Sequence, residues 1–235
     1  GVYEDFWALK DITFDIPEGK TFGLMGHNGS GKSTLVRHVN RLIEPSCGEV
    51  WACDTHVTGL DERGLREFRR HRVSMVFQHF GLISHMTVLQ NTCYGLRVQG
   101  LSRREQEERA RHWLDEMELT GQEDRYPEQL SGGMRQRVGL ARALAADTDI
   151  ILMDEAFSAL DPLIRIKLQD RVLDLQQRLK KTIIFITHDI DEALKMGNRI
   201  AILNEGQLIQ QGTPRELVDN PSSDYVAEFM AHRCR

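Results

Sequence analysis

The sequence has no long apolar stretch, no cysteine pair and no excess of basic residues. None of its apolar runs approaches the ~18 to 20 residues that a membrane-spanning helix needs, so we expect any contact with a membrane to be made through partner proteins. The four cysteines, at positions 47, 53, 93 and 234, form neither a CxxC pair nor a Cys/His arrangement with zinc spacing, which favours free thiols over a metal site. A net charge of −5 argues against a dedicated nucleic-acid binder.

Short apolar runs recur along the chain, with helical patterns between them. The composition, 40% hydrophobic and 28% charged, is typical of a globular protein, and 235 residues are enough for a buried core. Several runs are continuous rather than alternating, as in strands of a parallel sheet that is covered on both faces. The runs lie at residues 21–26, 73–78, 149–155, 182–188 and 199–206.

Two helices have clear start signals. Ser102 opens SRRE, which is a capping box, and an apolar face continues from it at three- and four-residue steps. Asp161 is followed by Pro162, which combines an N-cap carboxylate with proline at the first helical position. The apolar positions that support the two predictions are Ala110, Trp113 and Met117 in the first helix, and Ile164, Leu168, Val172, Leu175 and Leu179 in the second.

Other segments differ in character. Residues 9–16 and 48–53 predict antiparallel strands near the N-terminus. Residues 79–145 contain helical patterns and no strong strand, which predicts an inserted helical subdomain between the two parts of a core, residues 1–78 and 146–235. Residues 204–214 predict a hairpin and a turn before one last helix.

A glycine-rich loop follows the first apolar run. GHNGSGKST fits the pattern GxxxxGK[ST], and it stands between a predicted strand and a predicted helix, which is the context that the pattern needs. There, backbone N–H groups and a helix N-terminus bind phosphate oxygens, Lys32 reaches the β- and γ-phosphates, and the Ser33 hydroxyl binds Mg²⁺. We therefore predict a nucleoside triphosphate and Mg²⁺ as cofactors, with the triphosphate held by Gly26, His27, Asn28, Gly29, Ser30, Gly31, Lys32, Ser33 and Thr34.

Two carboxylates end the apolar run of residues 149–155. Consecutive side chains of an extended chain point in different directions. We therefore expect Asp154 to support the Mg²⁺ ion and Glu155 to orient or deprotonate the attacking water. A kinase would also need a site for an acceptor substrate, and no motif indicates one.

The motifs occur in a characteristic order. GHNGSGKST, Gln78 after an apolar strand, LSGGMRQRV, ILMDEAFSALD and ITHDIDEA resemble the ATP-binding cassette of ABC transporters over almost the whole chain. The resemblance implies an α/β P-loop fold with a mostly parallel core sheet, an N-terminal antiparallel β subdomain and an inserted α-helical subdomain. RLIEPSCGEV, MVFQHFGLISHMTVLQNT and YPEQLSGGMRQRVGLARALA further resemble the ATPase subunit of importers for glycine betaine, proline betaine and choline.

The resemblance also implies residue roles. Gln78 would contact Mg²⁺ or the attacking water, and His188 would contact the γ-phosphate. Asp161 would lie at a dimer seam as well as cap a helix. The signature residues, which would complete the ATP site of a second copy, are Ser131, Gly132, Gly133 and Met134, the last standing where many cassettes have glutamine.

One aromatic residue would stack on the adenine. Tyr3 lies 29 residues before Lys32 (32 − 3 = 29), which is close to the family's usual spacing. Phe6 and Trp7 are rivals for the same role, and either could instead be a core or rim aromatic.

The resemblance implies several partners. They are a second ATPase subunit in a homodimer, two transmembrane permease subunits and, indirectly, an extracytoplasmic substrate-binding protein. The chain would then be a peripheral subunit at the cytoplasmic face of the membrane. Residues 83–89, ISHMTVL, are the candidate contact with the permease, although core packing would also explain them. Subunits of this kind often carry a pair of regulatory CBS domains after the cassette, and this sequence ends at Arg235.

Two other functions are compatible with the motifs. A cassette protein acting on ribosomes or DNA usually has two cassettes or a long coiled-coil insertion, and the sequence shows neither. An importer ATPase for an amino acid such as histidine, or for a polyamine, would have the same motifs, because the ATPase does not touch the cargo.

Overall fold

A six-stranded sheet organises the computed structural model, which describes residues 8–231. The strands of the described residues are β1 (Thr21–Met25), β2 (Trp51–Ala52), β3 (Thr55–His56), β4 (Val73–Val76), β5 (Ile150–Asp154), β6 (Thr182–Ile186), β7 (Arg199–Asn204) and β8 (Gln207–Gly212). The order in the large sheet is β4-β5-β6-β1-β7-β8. Its first five strands are parallel, and β8 pairs antiparallel with β7 at the edge. The five predicted core strands and the hairpin are confirmed.

Helices surround this sheet. Within the described part of the chain they are α1 (Lys32–Val39), α2 (Glu62–His71), α3 (Val88–Val98), α4 (Arg103–Glu116), α5 (Gly132–Ala145), α6 (Pro162–Leu179), α7 (Ile190–Met196), α8 (Pro214–Asp219) and α9 (Asp224–Ala231). Ser102 and Asp161 cap α4 and α6 as predicted, and Ser102 forms the full capping box. The single helix predicted after the hairpin is two helices, α8 and α9. Between residues 8 and 231 no helix has the length and apolar character to cross a membrane.

The strands are apolar on both sides because the sheet is covered on both faces. In β5, Ile151 and Met153 belong to one buried cluster, which includes residues of α5, α6 and α7. Ile150 and Leu152 belong to a second cluster, on the side of α1 and α2. Each continuous apolar run therefore supplies both cores, as expected for a parallel sheet.

Three helices pack together in the region between β4 and β5. α3 contacts α4 and α5, and α4 also contacts α5. The described elements of residues 79–145 are these helices and a short 3₁₀ turn at Pro127–Gln129. The division of the chain into a core and a helical subdomain with boundaries near 79 and 145 stays a prediction.

The prediction of a strand at residues 9–16 is wrong. Leu9, Ile12, Phe14 and Ile16 are partly buried against the second cluster, so the apolar alternation is real, but among residues 8–231 this backbone forms no ladder. Asp11 has a φ of 49°, a left-handed conformation that interrupts an extended chain. Within the part of the chain that the structure describes, the predicted strand at 48–53 is reduced to β2, which pairs with β3.

Candidate functional site

The order of the strands brings the predicted site residues to one edge of the sheet. β4, β5, β6 and β1 are neighbours and parallel, so their carboxyl ends lie side by side. Gln78 follows β4, Asp154 ends β5, His188 follows β6, and the glycine-rich loop follows β1. Ligands of open α/β sheets bind at this edge.

The glycine-rich loop has a backbone that requires glycine. Gly26 and Gly31 have φ values of 147° and 93°. A Cβ at Gly26 would collide with the carbonyl oxygen of Leu203, and one at Gly31 would lie 2.6 Å from that of Ala8. Because glycine has no Cβ, the loop backbone can lie close to these two carbonyl oxygens and turn directly into α1. The N-terminal N–H groups of α1 then face any bound anion.

The ammonium of Lys32 lies inside this loop. Its Nζ donates to the carbonyl oxygens of Gly26 at 2.7 Å and His27 at 2.8 Å, and the residue is only 5% exposed. Burial lowers the pKa of Lys32 below its usual value, whereas the carboxylates of Glu155 and Asp154 oppose that shift. A positive charge with few competing water contacts is thereby held among phosphate-binding backbone groups.

The rest of the loop is open to solvent on one side and contacts the C-terminal helix α9 on the other. His27, Asn28 and Gly29 are exposed. The imidazole of His27 packs edge-on against the rings of Tyr225 and Phe229, with centroids 5.9 and 5.4 Å away. The sequence alone did not predict this contact.

Asp154 and Ser33 meet behind the loop. The Ser33 hydroxyl donates to Oδ1 of Asp154 at 3.0 Å, and the Asp154 side chain is fully buried. Arg37, which sequence reasoning missed, lies 3.4 Å from the other oxygen. The sequence spacing could have revealed Arg37, because it stands four residues after Ser33 and therefore on the same face of α1.

The donor set at this point suits a magnesium ion. Mg²⁺ is usually bound by one or two carboxylates together with substrate phosphates and water, rather than by a cage of protein ligands. The Ser33 hydroxyl and the Asp154 carboxylate supply oxygens of the required kind beside the phosphate loop. Accordingly, residues 8–231 contain no cluster of three or more His, Cys, Asp or Glu side chains that could hold a metal alone.

Glu155 faces a different set of groups. Gln78 Nε2 donates to Glu155 Oε2 at 3.1 Å, and His188 Nδ1 lies 3.6 Å from Oε1. The side chains of Asp154 and Glu155 were predicted to point in different directions because both residues would be extended. They do so, but Glu155 is not extended, because its φ of 49° is left-handed. A strained residue at the end of a strand indicates that the position of this carboxylate is held by its surroundings. Through its hydrogen bond Gln78 contacts Glu155 directly, and the family resemblance did not specify this contact.

The signature segment begins a helix. Ser131 caps α5 by accepting a hydrogen bond from the Met134 amide at 3.2 Å, and the Met134 side chain packs against the core. No hydrogen bond recorded for residues 8–231 joins Ser131–Met134 to the phosphate loop, so within one chain the two glycine-rich segments are not brought together. Asp161 accepts from the amides of Leu163 and Ile164 and so starts α6.

Gln136 links the signature helix to Glu155, and sequence reasoning missed it. The side chain is fully buried; its Nε2 donates to the carbonyl oxygen of Glu155 at 3.0 Å, and its Oε1 accepts from the Ala159 amide at 3.0 Å. An unpaired buried amide would be costly, so both bonds hold α5 against the loop that contains Glu155. A glutamine on the buried face of a predicted helix was the available signal.

Two predicted contacts have different outcomes. Tyr3 and its rivals Phe6 and Trp7 lie outside the described residues. Of residues 83–89, the first five form a loop with Ser84 and His85 exposed, and the last two begin α3, where Val88 is buried in the core. The buried side chain of Asn91 fixes that loop, because it accepts from the Ile83 amide at 2.8 Å and donates to the carbonyl oxygens of Ile83 and Met86. The loop is therefore fixed at the surface, core packing accounts for Val88, and the contact with the permease stays a prediction.

Proteins of known function resemble the chain along most of its length. It is 54% identical over 223 residues to the glycine betaine transport ATP-binding protein OpuAA of Bacillus subtilis, covering 95% of this chain and 53% of that protein. It is 51% identical over 222 residues to the glycine betaine/proline betaine transport system ATP-binding protein ProV of Escherichia coli, covering 94% and 56%. The chain thus spans about half the length of these relatives.

Solved structures and a family model agree with these similarities. A dimeric post-hydrolysis structure of the ATP-binding cassette MJ0796, bound to ADP and Pi, superposes with a TM-score of 0.86 at 35% identity, covering 92% of this chain and 94% of that one. The predicted fold class is confirmed by this match. The family model described as ABC transporter matches residues 9–158. The chain therefore belongs to the ABC transporter family.

Proposed function

We propose that the chain is the ATP-binding and ATP-hydrolysing subunit of an importer for a quaternary amine such as glycine betaine, proline betaine or choline. The observation that carries the ATPase proposal is the row of groups along one sheet edge: the phosphate loop, the Ser33–Asp154 pair, and Glu155 between Gln78 and His188. The cargo proposal rests on the relatives, whose names specify glycine betaine transport.

In this proposal each polar group has one task. Lys32 and the loop amides hold the β- and γ-phosphates. Ser33 and Asp154, with Gln78 adjoining, hold Mg²⁺, which neutralises phosphate charge when bound. Glu155 takes a proton from the attacking water, and His188 contacts the γ-phosphate beside it. The separation of Asp154 from Glu155 supports this division, since one carboxylate is turned to Ser33 and the other to Gln78 and His188.

A second copy would complete the site. Ser131, Gly132 and Gly133 start a helix whose N-terminus suits an anion, yet they make no hydrogen bond to the phosphate loop of their own chain. In a head-to-tail dimer with Asp161 at the seam, each ATP would lie between the phosphate loop of one copy and the signature of the other. The dimeric state of the MJ0796 cassette supports this arrangement.

ATP would then control the shape of the complex. Because it contacts both copies only when they are closed, its binding energy shifts the open and closed populations, and hydrolysis releases the dimer. Residues 83–89 would pass the movement to two permease subunits that bind the chain to the cytoplasmic face of the membrane, with a substrate-binding protein on the far side. The loop held by Asn91 supports this role, because its backbone is fixed while Ser84 and His85 are exposed.

Replacing Lys32 with alanine is expected to lower kcat/KM for ATP by about 10²- to 10³-fold, the usual cost of losing one preorganised charge stabiliser. Phosphate release and binding of a fluorescent ATP analogue would measure it. Lys167→Ala, which removes an exposed lysine on α6, is the control and should leave kcat/KM and the binding of the ATP analogue unchanged. A Lys32→Ala protein with wild-type kcat/KM would contradict the proposed phosphate site.

The cargo is tested with the complete transporter in proteoliposomes. ATPase stimulation would be compared for glycine betaine, proline betaine, choline, carnitine, histidine and a polyamine, each presented with the substrate-binding protein. We expect stimulation by at least one quaternary amine and none by histidine or the polyamine. Stimulation only by histidine or the polyamine would contradict the quaternary-amine assignment while leaving the ATPase proposal in place.

A further inference from the structure

The helix α9 borders the phosphate loop with two aromatic rings. Tyr225 and Phe229 stand four residues apart and therefore on one face of the helix, where their rings stack with centroids 5.9 Å apart. The His27 ring of the phosphate loop meets both of them edge-on, with centroid distances of 5.9 Å to Tyr225 and 5.4 Å to Phe229. Edge-to-face pairs at such distances attract one another beyond the effect of the area that they bury. The three rings therefore join α9 to the phosphate loop.

α9 is held in place by contacts that do not involve the phosphate loop. Val226 and Met230 are 0% and 5% exposed, and both belong to the buried cluster on the side of α5, α6 and α7. Just before the helix, the Gln210 side chain of β8 donates to the Asn220 carbonyl oxygen at 2.9 Å and accepts from the Ser222 amide at 2.8 Å. The rings of α9 thus project from a helix whose own position is fixed.

The His27 backbone carries two of the hydrogen bonds that shape the phosphate loop. Its carbonyl oxygen accepts from the Ser30 amide at 3.2 Å and from Lys32 Nζ at 2.8 Å. Ser30 is only 3% exposed, and its own carbonyl oxygen accepts from the Gly206 amide at 3.3 Å. A shift of the His27 peptide would therefore disturb both the turn that closes at Ser30 and the position of the Lys32 ammonium.

The outer part of the loop has few other contacts. His27, Asn28 and Gly29 are exposed, and a Cβ added at Gly29 would meet nothing within 4 Å. Among residues 8–231 the imidazole of His27 has its two ring contacts and no hydrogen bond or ion pair. The position of this part of the loop therefore depends on the rings of α9.

We propose that Tyr225 and Phe229 are positioning residues for ATP binding: through the His27 ring they hold the phosphate loop in the shape that receives the phosphates. The inference rests on the proposed ATPase function. A loop that is already ordered loses less conformational freedom when its ligand binds, so the ring contact strengthens ATP binding. The contact is the same before and during hydrolysis, and the rate of the hydrolysis step should therefore not depend on it.

The test is Phe229→Ala, which removes the ring nearer to His27. We expect KM for ATP to rise about three- to tenfold, the worth of one aromatic pair, while kcat stays within about twofold of wild type. The dissociation constant of a fluorescent ATP analogue should rise with KM. Phe229→Tyr keeps the ring and should restore both wild-type values.

Val226→Ala is the matched control on the same helix. Val226 is fully buried against the core, so its truncation should lower the melting temperature of the protein while KM for ATP stays unchanged. An equal rise of KM in Val226→Ala and Phe229→Ala would show that general loosening of α9 is responsible, and would overturn the role of the rings.

A double-mutant cycle determines whether α9 acts through His27. His27→Ala alone should raise KM for ATP, since it removes the same ring contact from the other side. In the His27→Ala background, adding Phe229→Ala should raise KM by less than about twofold, because the contact is already absent. If the two effects multiply in full, Phe229 acts through other contacts and the proposal is overturned.

The remaining outcomes are equally decisive. An unchanged KM in Phe229→Ala, a lower kcat with unchanged KM, or a Phe229→Tyr protein as impaired as Phe229→Ala would each overturn the proposal. Amide hydrogen exchange tests the contact without hydrolysis: the Ser30 amide should exchange faster in Phe229→Ala than in wild type, and an unchanged rate counts against the proposal. A wild-type chain that neither binds nor hydrolyses ATP would contradict the proposed function, and the exchange rates would still decide whether α9 holds the loop.

Discussion

Replacing Glu155 with glutamine is expected to reduce ATP hydrolysis by about 10²- to 10⁴-fold while ATP binding stays near its wild-type strength. The amide has the same shape as the carboxylate, so the neighbours Gln78 and His188 keep a side chain to contact. It cannot take a proton, however, and the attacking water is no longer activated. The phosphate loop, Ser33 and Asp154 are untouched, which is why binding should persist.

The same variant should accumulate a closed dimer. ATP that binds but is not hydrolysed keeps the two copies together, because hydrolysis is the step that releases them. Phosphate release would give the rate, and size-exclusion chromatography with ATP would give the dimer fraction. Glu62→Gln, which changes a carboxylate at an exposed position on α2, should change neither. Near-normal hydrolysis by Glu155→Gln would rule out Glu155 as the base.

The core of the fold was predictable because burial has a simple sequence signal. Strands of a parallel sheet covered on both faces are apolar along most of their length, as in β5 and β6. The error at residues 9–16 has the same origin. Alternating burial of Ile12, Phe14 and Ile16 produces a strand pattern whether or not the backbone pairs, and pairing depends on a neighbour that local sequence does not reveal.

The site was predictable where one segment carries the chemistry and less so where segments meet. The phosphate loop and the Asp154–Glu155 pair are contiguous motifs with a strand before them. Gln136 is different: its importance depends on the carbonyl of Glu155 and the amide of Ala159, which lie 19 and 23 residues away. Such contacts exist only after α5 has packed against the loop that follows β5, so no local pattern indicates them.

Replacing Ser131 with arginine is expected to abolish ATP-dependent dimerisation while a single chain still binds ATP. Ser131 lies at the exposed N-terminus of α5, away from the phosphate-loop contacts of its own chain. In the proposed dimer that N-terminus faces the γ-phosphate of the partner's ATP, and a large side chain there prevents the two copies from closing. Hydrolysis should fall with the dimer, since each site needs the other copy.

The same substitution also removes a helix cap, and this second effect must be separated from the first. Ser131 accepts from the Met134 amide, so its loss should lower the free energy of unfolding by about 1 kcal/mol. Ser102→Arg is a control for this loss: Ser102 is also an exposed cap, of α4 through the Glu105 amide, and it belongs to a capping box that Ser131 does not form. In thermal melts Ser102→Arg should lose at least as much stability as Ser131→Arg.

The dimer is best measured in a Glu155→Gln background, where closed dimers accumulate. Only Ser131→Arg should abolish the dimer peak there, while Ser102→Arg should retain it. Equal dimer loss in both variants would show that helix fraying is responsible. Normal ATP-dependent dimers in the Ser131→Arg protein would remove the proposal that the signature of one chain completes the site of another. If dimers are lost only in Ser131→Arg, one chain holds two halves of two different sites, which explains why its two glycine-rich segments do not meet.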